Sequence, residues 1–89
     1  MSELTHEDKC VRYNILKACV DRMDAQGYGK KKKDDAALEF LIGATQAMIV
    51  TNHELKDNML MICMLFSARG AYGEAKRMMK EFETEKQAA

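Results

Sequence analysis

A run of eight apolar residues, MLMICMLF at residues 59–66, constrains the fold of this chain more than any other feature. The chain has 89 residues, and a domain of that size hides little more than about 60% of the surface that its unfolded chain exposes. A buried strand is normally rich in β-branched residues, but Ile62 is the one β-branched residue of the run. We therefore interpret the run as part of a helix that is apolar on two opposite faces, each of which needs cover.

The composition favours an all-α fold. The sequence contains no proline, and Ala, Leu, Met, Glu and Lys, which are strong helix formers, dominate it. The apolar spacing predicts one domain, residues 1–89, folded as a small bundle of three to four helices at about residues 5–26, 35–50, 52–69 and 73–86. We expect a Gly/Lys-rich loop at residues 27–34 and a frayed tail at residues 87–89.

Capping signals give these boundaries. THED at residues 5–8 has the form of a capping box, and Gly27 is able to end the first helix in the left-handed conformation. Asp34 or Asp35 is expected to cap the second helix, because the helix dipole favours a negative charge at the N-terminus. TNHE at residues 51–54 predicts a break before the third helix, and a single kinked helix through both halves is the alternative.

The second helix is apolar almost all round and is predicted to be central in the core, and the first and third helices carry apolar faces. The apolar face of the first helix consists of Leu16, Cys19, Val20 and Met23. One face of the third helix consists of Leu55, Met59, Ile62, Cys63 and Phe66, and the opposite face of Leu60, Met61, Met64, Leu65 and Ala68. We expect the second and fourth helices to cover the Met59 face.

The turn between the third and fourth helices resembles a single tetratricopeptide repeat. Gly70, Tyr72 and Ala75 have the spacing at which that family joins a helix pair. The resemblance covers residues 56–89 and implies a helical hairpin with core residues at Met59, Ile62, Phe66 and Met79. Cys63 replaces the usual small residue, Gln87 replaces the usual proline, and residues 22–55 show no second copy, so we make no family assignment.

The second face of the third helix is the predicted binding site. Either the four helices bury both faces, or this face remains for another protein or for a second copy of the chain. Seven internal methionines favour a partner, because Met is common on surfaces that adapt to a bound helix or strand. The predicted partner-binding residues are Leu60, Met61, Met64, Leu65 and Phe40.

We therefore expect a small non-enzymatic protein–protein interaction module that also forms homodimers. Such a chain would act as a subunit, an adaptor or a stoichiometric inhibitor, for example of the phage type. Apolar side chains would supply the affinity, while Lys56, Asp57 and Arg69 set the orientation of the partner.

The alternative is a small nucleic-acid-binding protein. Its possible phosphate contacts are Lys30, Lys31, Lys32 and Lys33, helped by Lys76, Arg77 and Lys80. The 14 basic and 14 acidic residues give no net charge, so no overall field would attract nucleic acid or an anionic membrane.

Catalytic and metal-binding groups are sparse. His6 and Cys10 lie four residues apart, which is half of a zinc site, but their spacing to His53 and Cys63 matches no zinc signature. No nucleophile has an evident base, so we expect no catalytic site, no metal and no cofactor. Three widely spaced cysteines and the absence of a signal segment or an apolar span indicate reduced thiols in the cytoplasm, away from membranes.

Overall fold

The computed structural model describes residues 4–27, 29–47 and 53–88 and contains four helices. They are α1 (His6–Gln26), α2 (Lys30–Ala47), α3 (His53–Arg69) and α4 (Ala71–Ala88). No strand occurs in these residues, so the predicted all-α bundle is confirmed. None of the helices within the described ranges combines the length and the apolar character that a membrane span requires.

The ends of α1 follow the predicted signals. Thr5 Oγ1 accepts a hydrogen bond of 3.0 Å from the backbone N–H of Asp8, which satisfies one of the free donors of the first turn. At the other end Gly27 has a φ of 64°, and its N–H donates to the Asp24 carbonyl. A left-handed residue at this position is far less strained as glycine, because glycine has no Cβ.

The start of α2 corrects the prediction of a loop at residues 27–34. The helix begins at Lys30, and the N–H of Lys33 donates to the Gly29 carbonyl at 2.9 Å. Lysine is a good helix former, but its charge is unfavourable at a helix N-terminus. The ammonium of Lys33 is balanced by the carboxylate of Asp24, whose Oδ1 lies 3.4 Å away. Asp24 belongs to the end of α1, and the local sequence around the lysines does not predict this contact.

Asp34 caps α4 instead of α2. Its Oδ1 accepts a hydrogen bond of 2.8 Å from the N–H of Tyr72, in the first turn of α4. Gly70, the one residue between α3 and α4, has a φ of 95°, and a Cβ added there would lie 3.3 Å from Asp34 Oδ2. With this cap, α4 begins at Ala71 rather than at residue 73, and it ends at Ala88 rather than at residue 86.

The helical hairpin implied by the tetratricopeptide resemblance is confirmed. α3 ends at Arg69, the N–H of the following Gly70 donates to the Phe66 carbonyl at 3.0 Å, and α4 packs back against α3. Ala75 is fully buried in the core and Tyr72 is half-buried.

α2 and α3 are two separate helices that pack against each other, and not the single kinked helix that the sequence left as the alternative. Residues 51 and 52, the first two of the predicted cap TNHE, lie outside the described residues. Positions 48–50 of the predicted second helix also lie outside them.

The bundle is flattened, with extents of 37 × 30 × 21 Å. α1 runs antiparallel to α4, since Asp24 contacts Tyr72 while Tyr13 contacts Glu83. α2 and α4 pack against each other across the centre, and the contact between α1 and α3 is the smallest of the bundle. The resulting core consists of Leu16, Cys19, Val20, Met23, Ala37, Leu41, Leu55, Met59, Ile62, Phe66, Ala71 and Ala75.

Candidate functional site

The outer face of α3 is the most exposed apolar surface that the structure describes. Leu60 is 46% exposed, Met61 52% and Met64 72%. Ser67 and Ala68, one turn further along the helix, are also exposed. We call these five residues, Leu60, Met61, Met64, Ser67 and Ala68, the α3 strip.

The α3 strip is exposed because α2 and α4 cover the other side of the same helix. Met59, Ile62 and Phe66 are buried against them, as the sequence predicted. Helical geometry separates the two sets, since positions 59, 62 and 66 and positions 60, 64 and 68 fall on opposite sides at about 100° per residue. The apolar run at residues 59–66 thus supplies both the core and an uncovered surface.

The α3 strip carries no charge. Residues 58–68 contain no Asp, Glu, Lys or Arg, and the charged residues Lys56, Asp57 and Arg69 stand at its two ends and are exposed. An apolar centre with a polar border is the usual composition of a protein interface.

A shallow groove adjoins one edge of the α3 strip, between α1, α3 and α4. It has a volume of about 160 Å³, and Met61 and the half-buried Leu65 line it beside Arg12 and Arg77. Both arginines already have partners within the chain. Arg12 Nη1 donates to Asn58 Oδ1 at 2.9 Å, and the Arg77 guanidinium contacts Glu74 at 2.7 Å and Glu81 at 2.5 Å.

Phe40 does not join the other predicted binding residues. It lies half-buried in a separate groove between α1 and α2, where the guanidinium of Arg22 stands 5.6 Å from the centre of its ring. A cation above an aromatic face is a favourable contact. Phe40 therefore packs between α1 and α2 beside Arg22, and the candidate surface consists of α3 residues.

The four lysines at the start of α2 are divided between two environments. Lys30, Lys31 and Lys32 are exposed, whereas Lys33 is partly buried. The Lys33 ammonium lies 4.8 Å from the centre of the Tyr72 ring and pairs with Asp24.

Tyr72 joins three helix ends in a cluster that the sequence analysis missed. The ammonium of Lys76 is a second cation near Tyr72, 5.2 Å from the centre of the Tyr72 ring. The Tyr72 hydroxyl donates a hydrogen bond to Asp24. That hydrogen bond, followed by the one from Lys33, lowers the pKa of Asp24, while the same bond to Asp24 raises the pKa of Tyr72. No local pattern connects residues so far apart in the sequence.

The remaining candidate ligands do not assemble into a metal site. His6 Nε2 and Cys10 Sγ are 3.6 Å apart on α1. Among the described residues, His53 and Cys63 included, no three His, Cys, Asp or Glu side chains are arranged to hold a metal ion.

Two of the cysteines are held as thiols. Cys19 is fully buried, its Sγ donates to the Ala37 carbonyl at 3.2 Å, and burial raises its pKa to about 11. Burial also raises the pKa of Cys63. Because the thiolate is the nucleophilic form, both groups are poorly reactive near neutral pH.

Comparison with known proteins adds no relative. No protein-family model matches the sequence, and neither a curated protein nor a solved structure is significantly similar to it.

Proposed function

We propose that this chain is a non-enzymatic protein–protein interaction module that binds its partner through the α3 strip. It would serve as a subunit, an adaptor or a stoichiometric inhibitor. The observation that carries the proposal is the exposure of Leu60, Met61 and Met64 on the outside of a helix whose inner face is core. Scattered exposed apolar residues are ordinary, but three on one uncharged helix face form a patch of the kind that marks interaction sites.

The chemistry of the α3 strip suits an apolar partner surface. Methionine has a flexible, polarizable side chain that adapts to different shapes, and two of the three most exposed residues are Met61 and Met64. Because the strip carries no charge, covering it leaves no buried unpaired ion. Lys56 and Arg69 at its ends would remain in water and influence orientation and association rate.

Site-specific photo-crosslinking in the cells that make the protein tests this proposal. A photoreactive benzoyl-phenylalanine at position 64 should give a discrete adduct, which mass spectrometry identifies. The matched control places the same residue at Thr84, an exposed position of α4, and should give no such adduct. An excess of the native chain should suppress the adduct, whereas an excess of the Leu60→Asp, Met64→Glu double variant should not.

The proposal fails if position 64 gives no adduct above the level at position 84. It also fails if the double variant competes as well as the native chain while it retains its helical signal. An adduct between two copies of the chain has twice the monomer mass and is thereby distinguished from an adduct with another protein.

A second candidate function, nucleic-acid binding, is favoured by the lysines of α2. Lys30 and Lys31 are exposed at a helix N-terminus, a position that favours phosphate groups. Against it, Asp24, Asp34 and Asp35 lie in the same region of the fold. Phosphate-driven binding should weaken steeply between low and moderate salt, whereas binding through the α3 strip should not. A filter-binding titration at two salt concentrations separates the two functions.

A further inference from the structure

We propose that the α3 strip docks against the same strip of a second copy of this chain, with the two α3 helices antiparallel across a two-fold axis beside Met64. This inference rests on the proposed function, because it names the partner of the same surface.

The spacing of the α3 strip is self-complementary. Two large residues, Leu60 and Met61, precede Met64 by four and three positions, and two small residues, Ser67 and Ala68, follow it by three and four. At about 100° per residue, Met61 and Ala68 lie along one edge of the strip and Leu60 and Ser67 along the other.

A two-fold axis beside Met64 reverses the helix direction and keeps each edge on its own side. Met61 of one copy therefore lies over Ala68 of the other, and Leu60 lies over Ser67. Each pair occurs twice, in agreement with an interface in which both copies use the same residues. A parallel arrangement would instead stack large on large at one end and leave a gap between small residues at the other.

Large side chains over small ones allow two helices to pack closely. Interdigitation of this kind gives helix interfaces the density of a protein interior, and an interface with voids loses those contacts. The side chains of Met61 and Leu60 project from the helix, and the short side chains of Ala68 and Ser67 provide the space that they need.

The charge distribution is compatible with pairing of identical chains. The chain has 14 basic and 14 acidic residues, so two copies do not repel each other through their net charge. Residues 58–68 carry no charge, so the contact removes no ion from water. The antiparallel orientation also opposes the dipoles of the two helices.

The size of the strip sets the strength of the association. A stable complex buries about 800 Å² on each partner. Three exposed apolar side chains on a helix of 17 residues fall short of that area. We therefore expect a monomer–dimer equilibrium in the micromolar range or weaker, in which the second copy competes with any other protein for the strip.

Charge-swap variants test the position of the axis. Met64→Lys and Met64→Glu should each reduce self-association by at least about tenfold in sedimentation equilibrium, because the axis brings two like charges together. An equimolar mixture of the two variants should restore the dimer. Thr84→Lys and Thr84→Glu make equal changes of charge on an exposed face of α4 and should associate like the native chain. Far-ultraviolet circular dichroism confirms that every variant is folded.

Position 60 gives an independent check of the register. Leu60→Glu mixed with Ser67→Lys should restore the dimer, since the axis places residue 60 over residue 67. A mixture of Leu60→Glu with Leu60→Lys should not.

Each other outcome overturns the inference. A native chain that stays monomeric at every concentration overturns self-association, and the proposed function then stands or fails on the photo-crosslink to a different protein. Single Met64 variants that still form the native dimer overturn the α3 strip as the contact. Single variants that are monomeric and remain so when mixed overturn the axis beside Met64, although the strip is still the binding surface.

Discussion

Two identical substitutions on α3, Met64→Glu and Met59→Glu, should have very different effects on the free energy of unfolding. Met64 is 72% exposed and Met59 is fully buried. Fully burying a methionine side chain is worth about 1.5–3 kcal/mol, so the buried quarter of Met64 accounts for about 0.5 kcal/mol. Methionine and glutamate have similar helix propensities. Met64→Glu should therefore cost about 0.5 kcal/mol in free energy of unfolding.

Met59→Glu removes a fully buried methionine side chain, and truncating such a side chain costs about 2–5 kcal/mol in free energy of unfolding. It also places a carboxyl group in the core, at a cost of several kcal/mol more. A domain of this length has a stability of about 4–13 kcal/mol, so Met59→Glu should be largely unfolded.

Urea unfolding followed by far-ultraviolet circular dichroism measures both changes, at a dilution where self-association is negligible. The Met64→Glu transition should keep its slope and move slightly to lower urea. A Met64→Glu chain that loses its cooperative transition would show that the α3 strip is part of the core, and the reasoning from its exposure would be refuted.

Three further predictions concern other parts of the bundle. Gly43→Ala should raise the free energy of unfolding by about 1 kcal/mol in a urea titration, since a Cβ at this helical position meets nothing within 4 Å. Tyr72→Phe should lower stability between pH 3.8, the ordinary pKa of Asp24, and pH 10.0, that of Tyr72. The lowered pKa of Asp24 adds stability above the ordinary pKa of an aspartate, and the raised pKa of Tyr72 adds stability below the ordinary pKa of a tyrosine. The stability that Tyr72→Phe removes should therefore become smaller outside that pH window, as measured by pH-dependent thermal melts. Iodoacetamide should modify Cys10 in the folded chain and Cys19 only after unfolding, as followed by peptide mass spectrometry, because Cys19 is fully buried with a pKa of about 11.

Each of these has a result that would contradict it. Gly27→Ala serves as the control for Gly43 and should destabilise the chain, because its φ of 64° is strained for alanine. A Gly43→Ala chain that is no more stable would contradict the open space around that residue. A Tyr72→Phe effect that is as large at pH 2 as at neutral pH would exclude the charge of Asp24 as its cause, and modification of Cys19 at the rate of Cys10 would contradict its burial.

The sequence was sufficient for features that depend on one helix. The apolar repeat of α1 identified its buried residues Leu16, Cys19, Val20 and Met23, because the period of a helix fixes which side chains share a face. The inner face of α3 followed from the same argument. The exposed positions Leu60, Met61 and Met64 were predicted as a second face, although periodicity alone left open whether a further helix would cover them.

Features that depend on contacts between helices were not predictable in the same way. The lysine run was predicted to lie in a loop, and the charge of Asp24 that balances Lys33 at the start of α2 comes from α1. Asp34 was expected to cap its own helix, but its carboxylate faces the start of α4. The position of Phe40 depends on which neighbour covers each side of α2, and the structure places it in a groove between α1 and α2.

The pairing of the start of α1 with the end of α4 has a practical consequence. His6 and Phe82 stack with ring centres 6.3 Å apart, and Tyr13 also stacks on Phe82 at 4.9 Å, so both helix ends lie at the same pole. A short flexible linker is therefore able to join them, and the chain can be reopened at Gly29, between α1 and α2. Such a circular permutant would preserve the four-helix packing while changing the order in which the helices emerge from the ribosome.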